Sequence, residues 1–263
     1  MFGRLTPMVK NLLLLNVGVF LIQMVLNINL PQLLGLRYVF SEEFRPFQIF
    51  THIFVHANGM HLFSNMFALF IFGPLLESFW GSKRFLIFFL VTGLGASMLY
   101  SAVHFYEVKQ VENAAMAYLN NPHPDGFDAF VYEHGNYAYS QLYEFIVGYM
   151  DHPENAEYAN KSKELVTSIY KRIADMPMVG ASGAVFGILM AFGMLFPNTE
   201  LFLLFFPFPI KAKYFVTFYG LYEVYAGIAR VPGDNVAHFA HIGGMLFAFI
   251  LLKHWQKQRN NFY

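Results

Sequence analysis

Six apolar stretches, residues 11–28, 60–80, 84–106, 181–196, 214–228 and 236–252, leave few folds open to this chain. At about 1.5 Å of helix per residue, roughly 20 such residues cross the ~30 Å hydrocarbon core of a bilayer. Backbone at that depth must satisfy its own hydrogen bonds, so each run is expected as a helix. Composition agrees: of 263 residues, 56% are hydrophobic and 13% charged, against about 25% charged in an ordinary soluble domain. The expected fold class is all-α, a polytopic bundle of six transmembrane helices. The fourth run is short, roughly 24 Å as a helix. Either its neighbours hide it or one end starts below the membrane surface.

The remaining sequence narrows the function. Formal net charge is zero, so no basic surface points to nucleic acid. The chain has no cysteine, which excludes disulfides, thiolate metal ligands and a cysteine nucleophile. No small-residue cleavage site follows the first apolar run, which is read as a retained helix. Residues 31–59 mix Arg37, Glu42, Glu43 and Arg45 with apolar residues and are broken by Pro46 and Asn58-Gly59. That pattern suits an interfacial loop with short amphipathic pieces. Residues 105–177 differ in kind, with eleven acidic residues among His, Asn and Pro. Helices are expected over 108–119, 140–150 and 156–174, the last with Leu165, Ile169 and Ile173 at helical spacing. This segment reads as a soluble helical insertion. The chain then divides into 1–105 (helices one to three and the first loop), 106–177 (the acidic, extracytoplasmic insertion) and 178–263 (helices four to six and a basic tail).

Arg4 and Lys10, Lys83 and Arg84, Lys211 and Lys213, and Lys253, Lys257 and Arg259 fall on one side of a six-span chain. Positive-inside places both termini in the cytoplasm, with a bacterial inner membrane as the expected setting. The first loop, the insertion and the turn at 230–235 then lie outside. Spans two, four and six all enter from that outer side. Their outer turns carry His61 and Asn65, Ser182, and His238 and His241. Each has an ordinary explanation alone: Ser182 as a helix cap, His241 as a core histidine, His61 and Asn65 as a pair four apart on one helix face. Together they are harder to dismiss, because polar groups inside a membrane are costly and face a partner or a wet cavity.

The chemistry that such a set suits is acyl transfer. A serine needs a base to become a nucleophile, and the His241 imidazole could be that base. The Ser182 N–H, at a helix N-terminus, and the side chains of His61 and Asn65 could stabilise an oxyanion. Phe186, one turn below Ser182, could hold the imidazole by packing, and Gly180 and Gly183 leave room for close approach. Asp234 is the carboxylate nearest His241 in sequence but sits in the turn, so a dyad is expected rather than a triad. His238, one turn above His241, is expected at the cavity mouth, and Glu77 against a basic neighbour. Cofactor and metal are expected to be absent. His52, His56 and His61 have no carboxylate among them and are interrupted by Asn58-Gly59, and there is no His-Glu-x-x-His. Gly180-Ala181-Ser182-Gly183-Ala184 is not a nucleophile elbow, which needs glycine where Ala184 stands.

Three motifs, His61-x-x-x-Asn65, Gly180-Ala181-Ser182-Gly183 and Ala240-His241-Ile242-Gly243-Gly244, resemble the rhomboid family of intramembrane serine proteases. Residues 47–65, His56 included, and Glu77 with Gly81 are similar to the same family. The likeness covers residues 10–105 and 178–252. It implies a six-helix rhomboid fold with Ser182 as nucleophile and His241 as general base. The oxyanion site would comprise His61, Asn65 and the Ser182 amide, supported by Gly180, Gly183, Phe186 and Gly244. The implied activity is cleavage of other proteins' transmembrane segments near their outer ends, without metal or cofactor. Implied partners are transmembrane-protein substrates and the lipid bilayer; the insertion could also gate substrate or bind a partner. The chain departs from the family at Phe44-Arg45 or Arg45-Pro46-Phe47, where Trp-Arg is usual, and at Ala248, where glycine is usual. Competing readings are a non-catalytic rhomboid-like protein that binds transmembrane helices, and a six-span transporter.

Overall fold

The structure, a computed structural model, describes residues 5–202, 208–229 and 236–260. It is 79% helical and all-α, apart from a short antiparallel pair, β1 (Glu200–Leu201) with β2 (Ile210–Lys211). The expected turn at 230–235, with Asp234, and residues 203–207 lie outside the described residues.

Helix α1 (Pro7–Val25) begins with proline in its first turn, where a missing N–H costs nothing. The next two N–H groups, of Met8 and Val9, donate to the Glu77 carboxylate at 2.9 and 2.8 Å. Among the described residues, Glu77 is met by these backbone donors rather than by a basic side chain. It is a buried anion at a helix N-terminus, where unpaired N–H groups and the helix dipole favour negative charge, and Ser82 Oγ donates to it as well. The first loop holds α2 (Leu30–Leu34), α3 (Gln48–Thr51) and a 3-10 turn at His52–Phe54. Helix α4 (Gly59–Trp80) starts where the Asn58 side chain accepts from the His61 N–H at 2.8 Å, an N-cap arrangement. Gly81, at φ +81°, makes the sharp joint to α5 (Ser82–Asn120).

Helix α5 runs 39 residues, about 58 Å. The expected third span and the expected helix 108–119 are one element, since no proline interrupts residues 82–120. Its far half joins α6 (Pro124–His134), α7 (Tyr139–Asp151) and α8 (Ala156–Ala174) around a second core that includes Val111, Tyr118, Phe127, Val131, Tyr149 and Val166. The main core gathers α1, α4, α5, α9 (Ser182–Leu195) and α11 (His238–Asn260), with Leu69, Phe85, Phe88, Ile188, Ala248 and Leu252 at its centre. Helix α10 (Ala212–Ala229) closes one side of α9.

Helix α9 is central, packing against α4, α5, α10 and α11. That explains how a helix of about 21 Å can be apolar on all sides. By length and composition α1, α4 and α5 can each cross a bilayer, and α9 is a shorter apolar helix. Leu14, Ile22, Phe63, Phe218, Ile228 and Ile250 stand exposed on outer faces, as expected of helices bounded by lipid rather than water.

Candidate active site

The start of α9 is positioned by the first loop. Leu36 and Met178 exchange two backbone hydrogen bonds of 2.8 Å. The Arg37 guanidinium donates to the Asp175 carbonyl at 2.6 Å, and the Gly180 N–H donates to the His52 carbonyl at 2.9 Å. These ties set the chain entering α9. Gly180 sits at φ +122°, a region glycine adopts freely and other residues resist. A Cβ there would stand 2.6 Å from His61 Nε2. The His61 ring thus lies against the backbone two residues before Ser182.

Ala181 occupies the N-cap of α9 and Ser182 is its first helical residue. The Ser182 hydroxyl is therefore not the cap, and its N–H is one of the first-turn donors that a helix leaves unpaired. Ser182 keeps partial exposure. Asn65 is buried one turn after His61 on α4 and donates through Nδ2 to the His61 carbonyl at 3.1 Å. That bond uses one of its two amide hydrogens.

His241 comes to this place through the contact of α9 with α11. A Cβ on Gly244 would stand 1.9 Å from the Gly183 carbonyl oxygen, and one on Gly183 would stand 2.3 Å from Ala96 Cβ. The helices touch backbone to backbone, with α5 against the same point. One turn earlier on α11, the His241 ring stacks on Phe186, centroids 4.0 Å apart and planes 9° apart. The structure therefore gathers His61, Asn65, Gly180, Ser182, Gly183, Phe186, His241 and Gly244 around the first turn of α9.

One member of this group was not foreseen. Glu223 on α10 is 2% exposed, and one of its oxygens, Oε2, contacts His241 Nδ1 at 2.8 Å and His238 Nδ1 at 2.6 Å. A carboxylate does stand beside His241, contrary to the sequence-based expectation, and it is not Asp234. His238 is correspondingly buried and hydrogen-bonded rather than at a cavity mouth. The missed signal was plain: Glu223 is the one charged residue between Lys213 and Arg230, and an ionisable group within such a span is a site candidate by default. Among the described residues, Glu223, His238 and His241 also form a set able to hold a metal, with ligand atoms within 4.8 Å of one another. Shared N–H···O bonds account for the same geometry with protons alone.

In the first loop, His52 Nδ1 meets the Gln48 carbonyl at 2.9 Å, and His56 packs edge-on against His61, centroids 5.1 Å apart. Burial holds the His52 imidazole down to about 4 and the His56 imidazole down to about 3, His61 adding to the second. Both are neutral at physiological pH.

A model of the rhomboid domain matches residues 43–110 and 154–255. The chain belongs to the rhomboid family. The residues between the two matched stretches, 111–153, contain the end of α5 with α6 and α7, so α8 falls within the rhomboid domain. Two rhomboid relatives come from Arabidopsis thaliana. Rhomboid-like protein 11, chloroplastic, is 34% identical over 90 residues, covering 34% of this chain and 30% of that protein. RHOMBOID-like protein 12, mitochondrial, is 26% identical over 260 residues, covering 97% of this chain and 60% of that protein. The chain thus spans less than two thirds of either relative. Family and apolar helices together make it an integral membrane protein.

Proposed function

We propose that this rhomboid is an intramembrane serine endopeptidase. It would hydrolyse peptide bonds in or near the transmembrane segments of other membrane proteins, with Ser182 and His241 doing the chemistry. One observation carries the reading: Phe186 stacks on His241 while Gly183 and Gly244 bring their backbones into contact. An imidazole is thereby held beside the first turn of the helix that Ser182 opens.

In this scheme His241 takes the Ser182 hydroxyl proton as Oγ attacks the scissile carbonyl. The resulting oxyanion is met by the Ser182 N–H, the His61 ring and the free Asn65 amide hydrogen. The protonated imidazole gives its proton to the departing amine, and an acyl-enzyme forms. Water, activated by the same imidazole, attacks that ester and releases Ser182. A substrate helix must unwind locally, because its carbonyls are otherwise occupied by hydrogen bonds.

The topology that goes with this reading is six spans with both termini cytoplasmic and the site opening to the other side, supported by the distribution of Lys and Arg. Residues 106–177 would then project outside as a helical insertion on the substrate side, able to meet a partner. The test is cleavage of a single-span substrate in proteoliposomes by the wild type, Ser182→Ala and His241→Ala. The reading expects cleavage by the wild type alone. Undiminished cleavage by both variants removes the mechanism. A wild type that never cleaves and never reacts with a serine-directed probe leaves a non-catalytic binder of transmembrane helices.

A further inference from the structure

We infer that Glu223 is a positioning residue for His241, fixing its imidazole as the Nδ1–H tautomer so that Nε2 is the free basic nitrogen offered to Ser182. The inference rests on the reading of Ser182 and His241 as nucleophile and base.

The argument starts from cost. A carboxylate buried in an apolar helix loses several kcal/mol of solvation unless donors replace water. Glu223 has such donors: Nδ1 of His238 and Nδ1 of His241, both on the single oxygen Oε2. An ionised carboxylate oxygen can only accept, so each facing ring nitrogen carries the hydrogen. In a neutral imidazole the other nitrogen is then a bare acceptor. For His241 that bare nitrogen is Nε2.

Two constraints are needed to fix an imidazole, and both are present. Stacking on Phe186, with planes 9° apart, sets the plane of the ring. It does not choose between the two flipped orientations within that plane. The Nδ1–H···Oε2 bond does. If Glu223 served only to tie α10 to α11, His238 would suffice. The second bond goes instead to the ring lying on the Ser182 helix. His238, one turn earlier on α11, donates to the same oxygen. When His241 gains a proton during attack, the adjacent negative charge stabilises the imidazolium.

Among the described residues, the titratable groups around His241 are few enough for a pH profile to be interpretable. From α4 there is His61, which lies against Gly180, from α10 Glu223 and, against the Phe186 ring, Tyr219, and from α11 itself His238. Helix α9 contributes the uncharged Phe186.

The test compares wild type, Ser182→Ala and Glu223→Gln in proteoliposomes, with kcat, KM and the acid limb of kcat/KM measured against pH. Glu223→Gln keeps the shape and removes the charge. The expectation is a fall in kcat of at least about tenfold, with KM within about threefold, and an acid limb moved to lower pH. A purely structural tie would lower the amount of active enzyme without moving that limb. In parallel, nitrogen NMR of histidine-labelled wild type reads the tautomer directly. The expected result is Nδ1–H for His241, and this measurement decides the matter even if Glu223→Gln fails to fold. A wild-type kcat and pH limb in folded Glu223→Gln, or an Nε2–H tautomer in the wild type, overturns the inference. Equal cleavage by Ser182→Ala and wild type would instead overturn the protease reading, while the NMR result still reports the Glu223 bond.

Discussion

Gly244→Ala is the sharpest perturbation of the α9–α11 contact. The added Cβ would stand 1.9 Å from the Gly183 carbonyl oxygen and 2.7 Å from its carbon. Cβ atoms essentially never approach closer than 3.0 Å, so the helices must separate by about 1.1 Å. The obstacle is backbone, so no side chain can turn aside. Overpacking of this kind costs about 1–3 kcal/mol, which a bundle of this size tolerates. Function is more exposed. Gly183 adjoins Ser182, and His241 lies one turn before Gly244 on the helix that must move. A misplacement of about 1 Å between reacting groups costs roughly 100-fold in rate. Cleavage by Gly244→Ala in proteoliposomes should fall by about that factor, with a folded thermal transition retained. Two controls frame the result. Gly220→Ala meets only the flexible Met245 side chain, Cε at 2.9 Å, and Gly18→Ala meets nothing within 4 Å. The first should cleave within a few-fold of wild type. The second should do the same and gain about 0.5–1 kcal/mol of helix stability. A Gly244→Ala enzyme that cleaves as fast as these controls refutes the argument that this contact sets the site.

Other expectations follow from the same geometry. Gly180→Ala combines an unfavourable φ of +122° with a Cβ 2.6 Å from His61 Nε2, so it should lose most cleavage; normal rates would show that His61 can yield without consequence. Glu77→Gln leaves the Met8 and Val9 N–H groups with at best one neutral acceptor in place of a carboxylate. It should cost about 1–3 kcal/mol, read as a lower midpoint of thermal unfolding. His52 and His56 refuse protons in the folded chain that an unfolded histidine of pKa about 6.5 accepts. Their effect on stability is absent above about pH 6.5 and grows as pH falls toward their folded values of about 4 and 3, at up to about 1.4 kcal/mol per pH unit each. The unfolding midpoint in detergent should drop between pH 7 and 5, and a His52→Gln, His56→Gln double variant should flatten that drop; an unchanged slope would contradict it. Phe127→Ala empties a fully buried site in the second core and should cost about 3–5 kcal/mol. Hydrogen exchange should then rise across residues 111–169 while α9 and α11 stay protected.

How far the sequence could be read depended on which constraint governed each element. The helix over 156–174 was legible because Leu165, Ile169 and Ile173 follow helical spacing. The start of α9 was legible from Gly180, Ser182 and Gly183. The union of the third span with the helix beyond it was not, because the change from apolar to charged near Tyr106 is a change of composition that leaves the backbone helical. Helix α6 was hidden by Pro122-His123-Pro124, which reads as a loop although Pro124 is an allowed first helical residue. Glu77 and Glu223 show a common limit. Their partners are 68 and 18 residues away, and only tertiary packing identifies them. In both cases a carboxylate alone in an apolar run was the signal, and its missing partner was the question to ask.

The account stands most directly on the reactivity of one hydroxyl. The measurement is mass-spectrometric mapping of the adduct formed when a fluorophosphonate reacts with the protein in lipid bilayers, for the wild type and for His241→Ala. The predicted result is a single adduct on Ser182 that disappears when the imidazole is removed. Labelling at another serine, or equal labelling of Ser182 with and without His241, would contradict it.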